Sequence, residues 1–308
     1  MTNTTALVTP HQDASPARPR RPVRTPVGER PRRGWTIAIT TAMAVASVYF
    51  LAPVLWLIIA STKSAGDLFS TPGFVLANFD LFTNLQDLST YDGGIFWRWG
   101  LNSIIYSVIG AAMTTFVCAI TGYGLAVYRF RGRATVIAVV LASMLIPGTV
   151  IAQPTYVLLV RLGLDNTYWG ILLPALAYPF GVLLCWIYAQ GSVPLELIEA
   201  ARLDGAGEFR IFFAMGLRLL SNGLVTVMLF AFLGSWNNYL LPLLVLTDQE
   251  LMPLTVGLTG WSQASITIPS LQTLTIVGSL VSVVPIAIAF VSLQRFWKSG
   301  LTAGGLRG

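Results

Sequence analysis

Residues 194–218 read PLELIEAARLDGAGEFRIFFAMGLR. This is the one long stretch away from both tails that mixes many charges with helix-forming residues, and apolar runs flank it on either side. Pro194 suits the first turn of a helix, where a missing N–H costs nothing. Glu196 and Glu199 follow early, where carboxylates complement the positive end of the helix dipole. Leu195, Ile198 and Ala201 recur at helical spacing. Gly205 then stops the helix, because glycine accepts the left-handed conformation of a C-terminal cap. A second short helix restarts at Glu208, with Phe209, Phe212 and Phe213 expected on one side. The reading is two short helices joined by a tight Asp204-Gly205-Ala206-Gly207 turn. Ala200, Ala201, Gly205, Ala206 and Gly207 keep its surface low, so another backbone can approach closely. An ordinary loop between membrane helices is the alternative.

The surrounding chain is 55% hydrophobic and 10% charged, where a soluble domain carries about 25% charged residues. It reads as an all-α integral membrane protein. Cys118 and Cys185 fall inside apolar runs without metal-ligand spacing and read as small core residues. The single His11 sits in a tail, so no zinc site is expected.

Six spans of the required length, about 20 residues, are expected: Trp35–Ser61, Leu101–Tyr128, Ala134–Val160 with Pro147 and Pro154 inside it, Tyr168–Gln190, Leu219–Leu246 and Leu274–Phe296. Together they make one six-span transmembrane domain over 35–298. Residues 1–34 are rich in Arg, Pro and Thr and read as a disordered basic tail. Residues 299–308 read as a short tail. Lys63–Trp99 has the acids and aromatics of an ordered outer cap. Thr247–Thr273, with Pro253, Gly257, Gly260 and Trp261, reads as a compact reentrant loop. With both termini inside, segments 1–34, 129–133, 191–218 and 295–308 hold all of the 19 Lys and Arg except Lys63, Arg98 and Arg161. The positive-inside rule therefore places both termini and the 191–218 loop in the cytoplasm.

Intramembrane polar residues are costly and mark candidate sites. Gln153 beside Pro154 and the run Trp236-Asn237-Asn238-Tyr239 are candidates for a translocation path, since amides and aromatic rings suit a sugar. Interface anchoring is the other reading of Trp236 and Tyr239. Thr114, Thr115 and Asn222 read as helix–helix hydrogen-bonders. The span centres lack Asp, Glu, Lys and Arg, which argues against an ion-coupled carrier and against a membrane-embedded enzyme. The chain also lacks a phosphate-cradling G-x-x-x-x-G-K-[ST] loop.

Glu199-Ala200-Ala201 followed by Asp204-Gly205-Ala206 resembles the EAA motif of binding-protein-dependent ABC transporter permeases. That family usually continues with a Leu-Pro pair and a second proline four residues on; this chain has Leu217-Arg218 and Asn222 there. The closing residues Gly300–Gly308, Asn102-Ser103 and the stretch Gly163–Tyr168 resemble the maltose-type carbohydrate permeases. The resemblance implies a six-span type I importer fold whose loop, Glu199 to Gly207, is a coupling helix docking on a cytoplasmic ATPase. It implies a sugar or oligosaccharide cargo, a second homologous permease as heterodimer partner, an ATPase dimer that binds ATP and Mg, and an extracytoplasmic solute-binding protein. Trp261 would lie where that binding protein reaches the membrane. The setting would be a bacterial cell membrane, with lipid around the spans and no nucleic acid partner. The chain would bind no cofactor and catalyse no reaction. A secondary carrier or channel, and an ABC permease for a polyol or glycerol phosphate, remain the alternatives.

Overall fold

The computed structural model describes residues 33–304, and side chains over 34–292. The rest of both expected tails lies outside the described residues. Every regular element among the described residues is helical. The chain divides into two compact units, residues 1–51 and 52–308. Helix α1 (Arg33–Ser61) supplies the described part of the first unit and opens the second.

Beyond α1 the expected outer cap is ordered. Helix α2 (Ala65–Ser70) is capped by the Ser64 hydroxyl, which accepts from Asp67 N–H. Helix α3 (Leu81–Thr90) follows. Lys63 is buried; its ammonium donates to Thr71 Oγ1 at 2.9 Å and to the Pro72 carbonyl at 2.8 Å. Buried Asn84 donates to the carbonyls of Ser61 and Lys63. The cap is thus pinned to the end of α1 by buried polar groups with satisfied partners.

Among the described residues, three stretches are long and apolar enough to cross a membrane, and up to six if each bent pair counts as one span. The second expected span is the inner part of a continuous stretch, Leu81–Val127. It contains α4 (Ile95–Ile104), a π-helical turn at Ile105–Ile109, and α5 (Gly110–Val127). The third expected span is not straight. Helices α6 (Arg133–Ser143) and α7 (Gly148–Arg161) meet at 105°. Of the two prolines, Pro147 sits at the break, with an extended ψ of 133°, and the residue before a proline is driven out of the helical region. Pro154 is absorbed inside α7. The fourth span is α8 (Tyr168–Ala175) and α9 (Pro179–Ser192), bent by 41°.

Helices α5 and α9 form the tightest pair. A Cβ on Gly122 would fall 2.4 Å from Cys185 Cβ and 2.6 Å from the Trp186 nitrogen, and one on Gly181 would fall 2.7 Å from Cys118 Sγ. Small residues let the two backbones touch, which is how helices associate where lipid removes the hydrophobic drive. Both cysteines are free and buried, in keeping with their place in apolar runs.

After α9 come α10 (Leu195–Leu203) and α11 (Glu208–Ile211), a second π-helical turn at Phe212–Gly216, and α12 (Leu217–Leu219). The chain then bends by 78° into α13 (Ser221–Trp236). It bends without the prolines the family pattern has there. Leu220 is buried at the corner, and Gly223 brings α13 so close to Tyr188 that a Cβ would sit 2.5 Å from its ring. The fifth expected span does not run unbroken to Leu246. It stops at Trp236, unwinds over residues 237–239 and restarts as α14 (Leu240–Val245). The expected reentrant loop is largely helical: a turn at Gln249–Leu251, then α15 (Leu254–Ala264) with Pro253 at its N-cap. Helix α16 (Ser270–Gly304) is the last.

Candidate functional site

The 194–207 hairpin forms as two short helices around a glycine turn. Pro194 caps α10, and Asp204 ends it. Gly205 has φ +80°, Ala206 N–H donates to the Ala201 carbonyl at 3.0 Å, and Gly205 N–H donates to the Arg202 carbonyl at 3.0 Å. These two bonds and one left-handed residue are a Schellman C-cap. The hairpin has two faces. Ile198 is fully buried and packs with Ile211 and Phe212, with Ala201 and Ala206 against them. Glu199, Ala200, Asp204, Gly205 and Gly207 are exposed. The motif therefore splits into an inward half that seats the hairpin and an outward half free to meet another molecule.

The three phenylalanines do not share a side. Phe212 is buried against Tyr123, at 5.1 Å between ring centroids, while Phe209 is 84% exposed. Leu203, at 89% exposed, makes a second apolar point on the same hairpin. A clasp missed in the sequence closes the turn. Arg202 Nε meets Glu208 Oε1 at 2.6 Å, Arg202 Nη2 meets Oε2 at 3.2 Å, and the Tyr128 hydroxyl donates to Oε2 at 2.6 Å. The Arg202 guanidinium also lies 5.8 Å over the Tyr128 ring. The clasp ties both arms of the hairpin to the end of α5. The six-residue separation of Arg202 and Glu208 across a glycine turn was the available signal.

The second cluster lies at the break after α13. Asn237 caps the helix and its amide donates to the Leu233 carbonyl at 2.8 Å. The Asn238 carbonyl accepts from Thr255 Oγ1 at 2.7 Å. Trp236 is buried, stacked on Phe232 with centroids 5.8 Å apart. Asn237, Asn238 and Tyr239 line one wall of a cavity of about 1130 Å³ bounded by α7 and α8. Gln153 is exposed on α7 and is not among its lining residues. Thr114 donates across to the Ala175 carbonyl at 3.0 Å, and Asn222 is exposed.

A third arrangement was visible only in part. Trp99, Asn102, Ser103 and Tyr106 lie on one helical face at i, i+3, i+4 and i+7. Trp99 donates to the Gln249 carbonyl at 2.9 Å, Asn102 to Glu250 at 2.7 Å and Met252 at 3.0 Å, and Tyr106 to Leu251 at 2.9 Å. The Ser103 hydroxyl accepts from Leu254 N–H at 2.8 Å. Tyr168 donates to Asn102 Oδ1 at 2.7 Å, and the Asn166 side chain accepts from the N–H groups of Thr247 and Asp248. One strap, residues 247–254, is thus held along its length. Trp261, next along the chain, is packed against Trp99 and Tyr91 at 4.8 and 5.4 Å between centroids and is 8% exposed.

Residues 119–298 match the family described as binding-protein-dependent transport system inner membrane component. The chain is 33% identical over 281 residues to the arabinooligosaccharides transport system permease protein AraQ of Bacillus subtilis, covering 89% of this chain and 96% of that one. It is 32% identical to the diacetylchitobiose uptake system permease protein NgcG of Streptomyces coelicolor, over 88% and 89% of the two chains. A chain from the crystal structure of a bacterial ABC transporter involved in the import of the acidic polysaccharide alginate has the same fold. That match has a TM-score of 0.75 at 24% identity and covers 88% of this chain and 99% of that one.

Proposed function

The chain belongs to the binding-protein-dependent transport system inner membrane components, and from that premise we propose that it carries a sugar or oligosaccharide through the membrane. As a permease of an ABC importer it is a non-catalytic subunit; ATP is hydrolysed by a separate ATPase, and a solute-binding protein delivers the substrate. The named carbohydrate cargoes of its relatives support the class of cargo. The uncharged span centres fit a neutral solute better than an anion, which would draw arginine into the path. A second, homologous permease completes the path, lipid surrounds the rest, and both termini lie in the cytoplasm, following the distribution of Arg and Lys.

The observation that carries the mechanism is the two-faced hairpin. Its inner face is fixed in the bundle by Ile198, Ala201 and Ala206, and its outer face offers Leu203, Phe209 and Glu199 to a partner. When the ATPase dimer closes on ATP, it pulls this hairpin. The clasp to Tyr128 passes the movement to α5, and the packed α5–α9 pair moves with it. The spans open outward, accept sugar and return when nucleotide is released. The test is disulfide trapping in the assembled transporter. Leu203→Cys should cross-link to a cysteine placed in the ATPase cleft, and the cross-link should stop ATP-driven uptake of labelled arabinotriose. Uptake that continues without the ATPase subunits would overturn the reading.

A further inference from the structure

The coupling mechanism leaves a second cavity without a role. A cavity of about 410 Å³ opens between the α3–α4 junction, the strap and α15, a volume in the usual range for small-molecule sites. Tyr91, Trp99, Tyr239 and Trp261 give it four aromatic walls, and Asp92 and Gln263 place a carboxylate and an amide at its rim. We infer that this cavity is an outer subsite for one pyranose or furanose ring of the cargo. The inference rests on the carbohydrate reading given above and adds to it the place where a ring is held.

Sugars present an apolar C–H face and a belt of hydroxyls. A ring face needs a fixed aromatic surface; hydroxyls need acceptors and donors at the edge. Both are here. The Trp261 ring cannot swing, because Trp99 and Tyr91 brace it. The Trp99 indole N–H is already committed to the Gln249 carbonyl. The strap that forms one side is fixed by Trp99, Asn102 and Ser103 of α4 and Tyr106 of the π-helical turn after it, so the cavity is built before any ligand arrives, and binding would cost little ordering.

Asp92 supplies the polar edge of the cavity. It is an exposed non-glycine residue with φ +49°, followed by Gly93 and Gly94 at +66° and +82°. Aspartate is among the few non-glycine residues that enter this region readily, and with Gly93 and Gly94 it makes the turn between α3 and α4. Here it sets a carboxylate at the cavity rim. Tyr239 lines this cavity and also the larger one beyond the α13–α14 break. A ring leaving the outer subsite therefore meets the unwound Asn237–Tyr239 segment next, which connects the subsite to the candidate path.

Gly260 supplies the test. It lines the cavity, and a Cβ built there meets nothing within 4 Å, so a side chain can start there without a clash at its first atom. The transporter is assembled in proteoliposomes with its partner permease, ATPase and binding protein, and given labelled arabinotriose or a diazirine derivative of it. In the wild type the diazirine should label residues 254–264. Gly260→Trp should abolish that label and lower sugar moved per ATP hydrolysed by about fivefold, the size expected for one lost stack and hydrogen bond. Asp92→Asn, a surface change, should lower it about threefold, because the amide oxygen still accepts and only the charge assistance is lost. Unchanged flux per ATP in both variants, with no label on α15, would overturn the subsite while leaving the cargo reading standing. A Gly260→Trp defect that saturating binding protein fully corrects would mean that this cavity receives the binding protein, and would overturn it too. A wild-type transporter that hydrolyses ATP on meeting its binding protein but moves neither arabinotriose nor maltotriose would sink the cargo reading itself, and the subsite with it.

Discussion

Replacing Gly205 separates a turn residue from a docking residue. At φ +80° an ordinary side chain carries a strain of about 1–2 kcal/mol, whereas asparagine tolerates this region far better. Nothing in the chain lies within 4 Å of a Cβ built there, so the cost is conformational and local. The Schellman bonds from Ala206 to Ala201 and from Gly205 to Arg202 do not involve the side chain, and the Arg202–Glu208 clasp stands across the same turn. Gly205→Asn should therefore keep the hairpin, with a melting midpoint near the wild type. If a partner's backbone presses on this low surface, the added amide still lifts it away. A loss of about 1.4 kcal/mol of docking would lower ATPase binding tenfold. The expectation is normal insertion and folding but at least about a tenfold fall in ATP hydrolysis stimulated by loaded binding protein. Gly205→Glu, larger and charged, should abolish stimulation. The assay is hydrolysis by the reconstituted transporter with and without loaded binding protein, at matched amounts of permease. Wild-type stimulation in Gly205→Asn would show that glycine is needed only for its backbone. The same result in Gly205→Glu would remove the docking surface from this hairpin.

Two further outcomes concern the frame. Asn102→Leu removes a buried amide that serves the Glu250 and Met252 carbonyls and the Tyr168 hydroxyl. With unpaired buried groups each costing roughly 1–3 kcal/mol, the thermal midpoint in detergent should fall clearly, and hydrogen exchange over residues 247–254 should quicken; unchanged exchange there would contradict the clamp. Gly122→Ala puts a methyl 2.4 Å from Cys185 Cβ and against backbone, while Gly124→Ala on the same helix meets nothing within 4 Å. The first should cost about 1–3 kcal/mol by overpacking and lower the yield of folded protein; the second should be silent, and equal yields would refute the close α5–α9 contact.

The parts of this molecule that are legible in its sequence are those whose causes lie within a few residues of each other. The hairpin is one: Pro194, Gly205 and the small residues between act through bonds no longer than five residues, and its geometry follows from them. The spans are another, because apolar length is a property of the run itself. The failures have distant causes. Pro147 and Pro154 look alike in the sequence, yet only the first breaks its helix. The bend at Leu220 occurs without a proline where the glycines admit close neighbours: a Cβ on Gly216 would fall 3.0 Å from the Tyr123 ring, and one on Gly223 2.5 Å from the Tyr188 ring. Those partners are far away in the chain. Asn102-Ser103 and Gly163–Tyr168 carried the family resemblance as letters only. In the folded chain they act together, since residues from both stretches hold the 247–254 strap, and through it the wall of the outer cavity. A helix face spaced Trp99, Asn102, Ser103, Tyr106 was the one-dimensional trace of that clamp. It reads as polar residues placed at helical period inside an apolar run, which in a membrane requires partners. For Trp99, Asn102 and Tyr106 those partners are the consecutive carbonyls of a strap about 150 residues later, and Ser103 accepts from the strap's Leu254 N–H. A pattern of polar residues at one helical face with no partners nearby is therefore a signal for irregular backbone elsewhere in the chain, and in this protein it points at the wall of the cavity of about 410 Å³ rather than at the 194–218 hairpin.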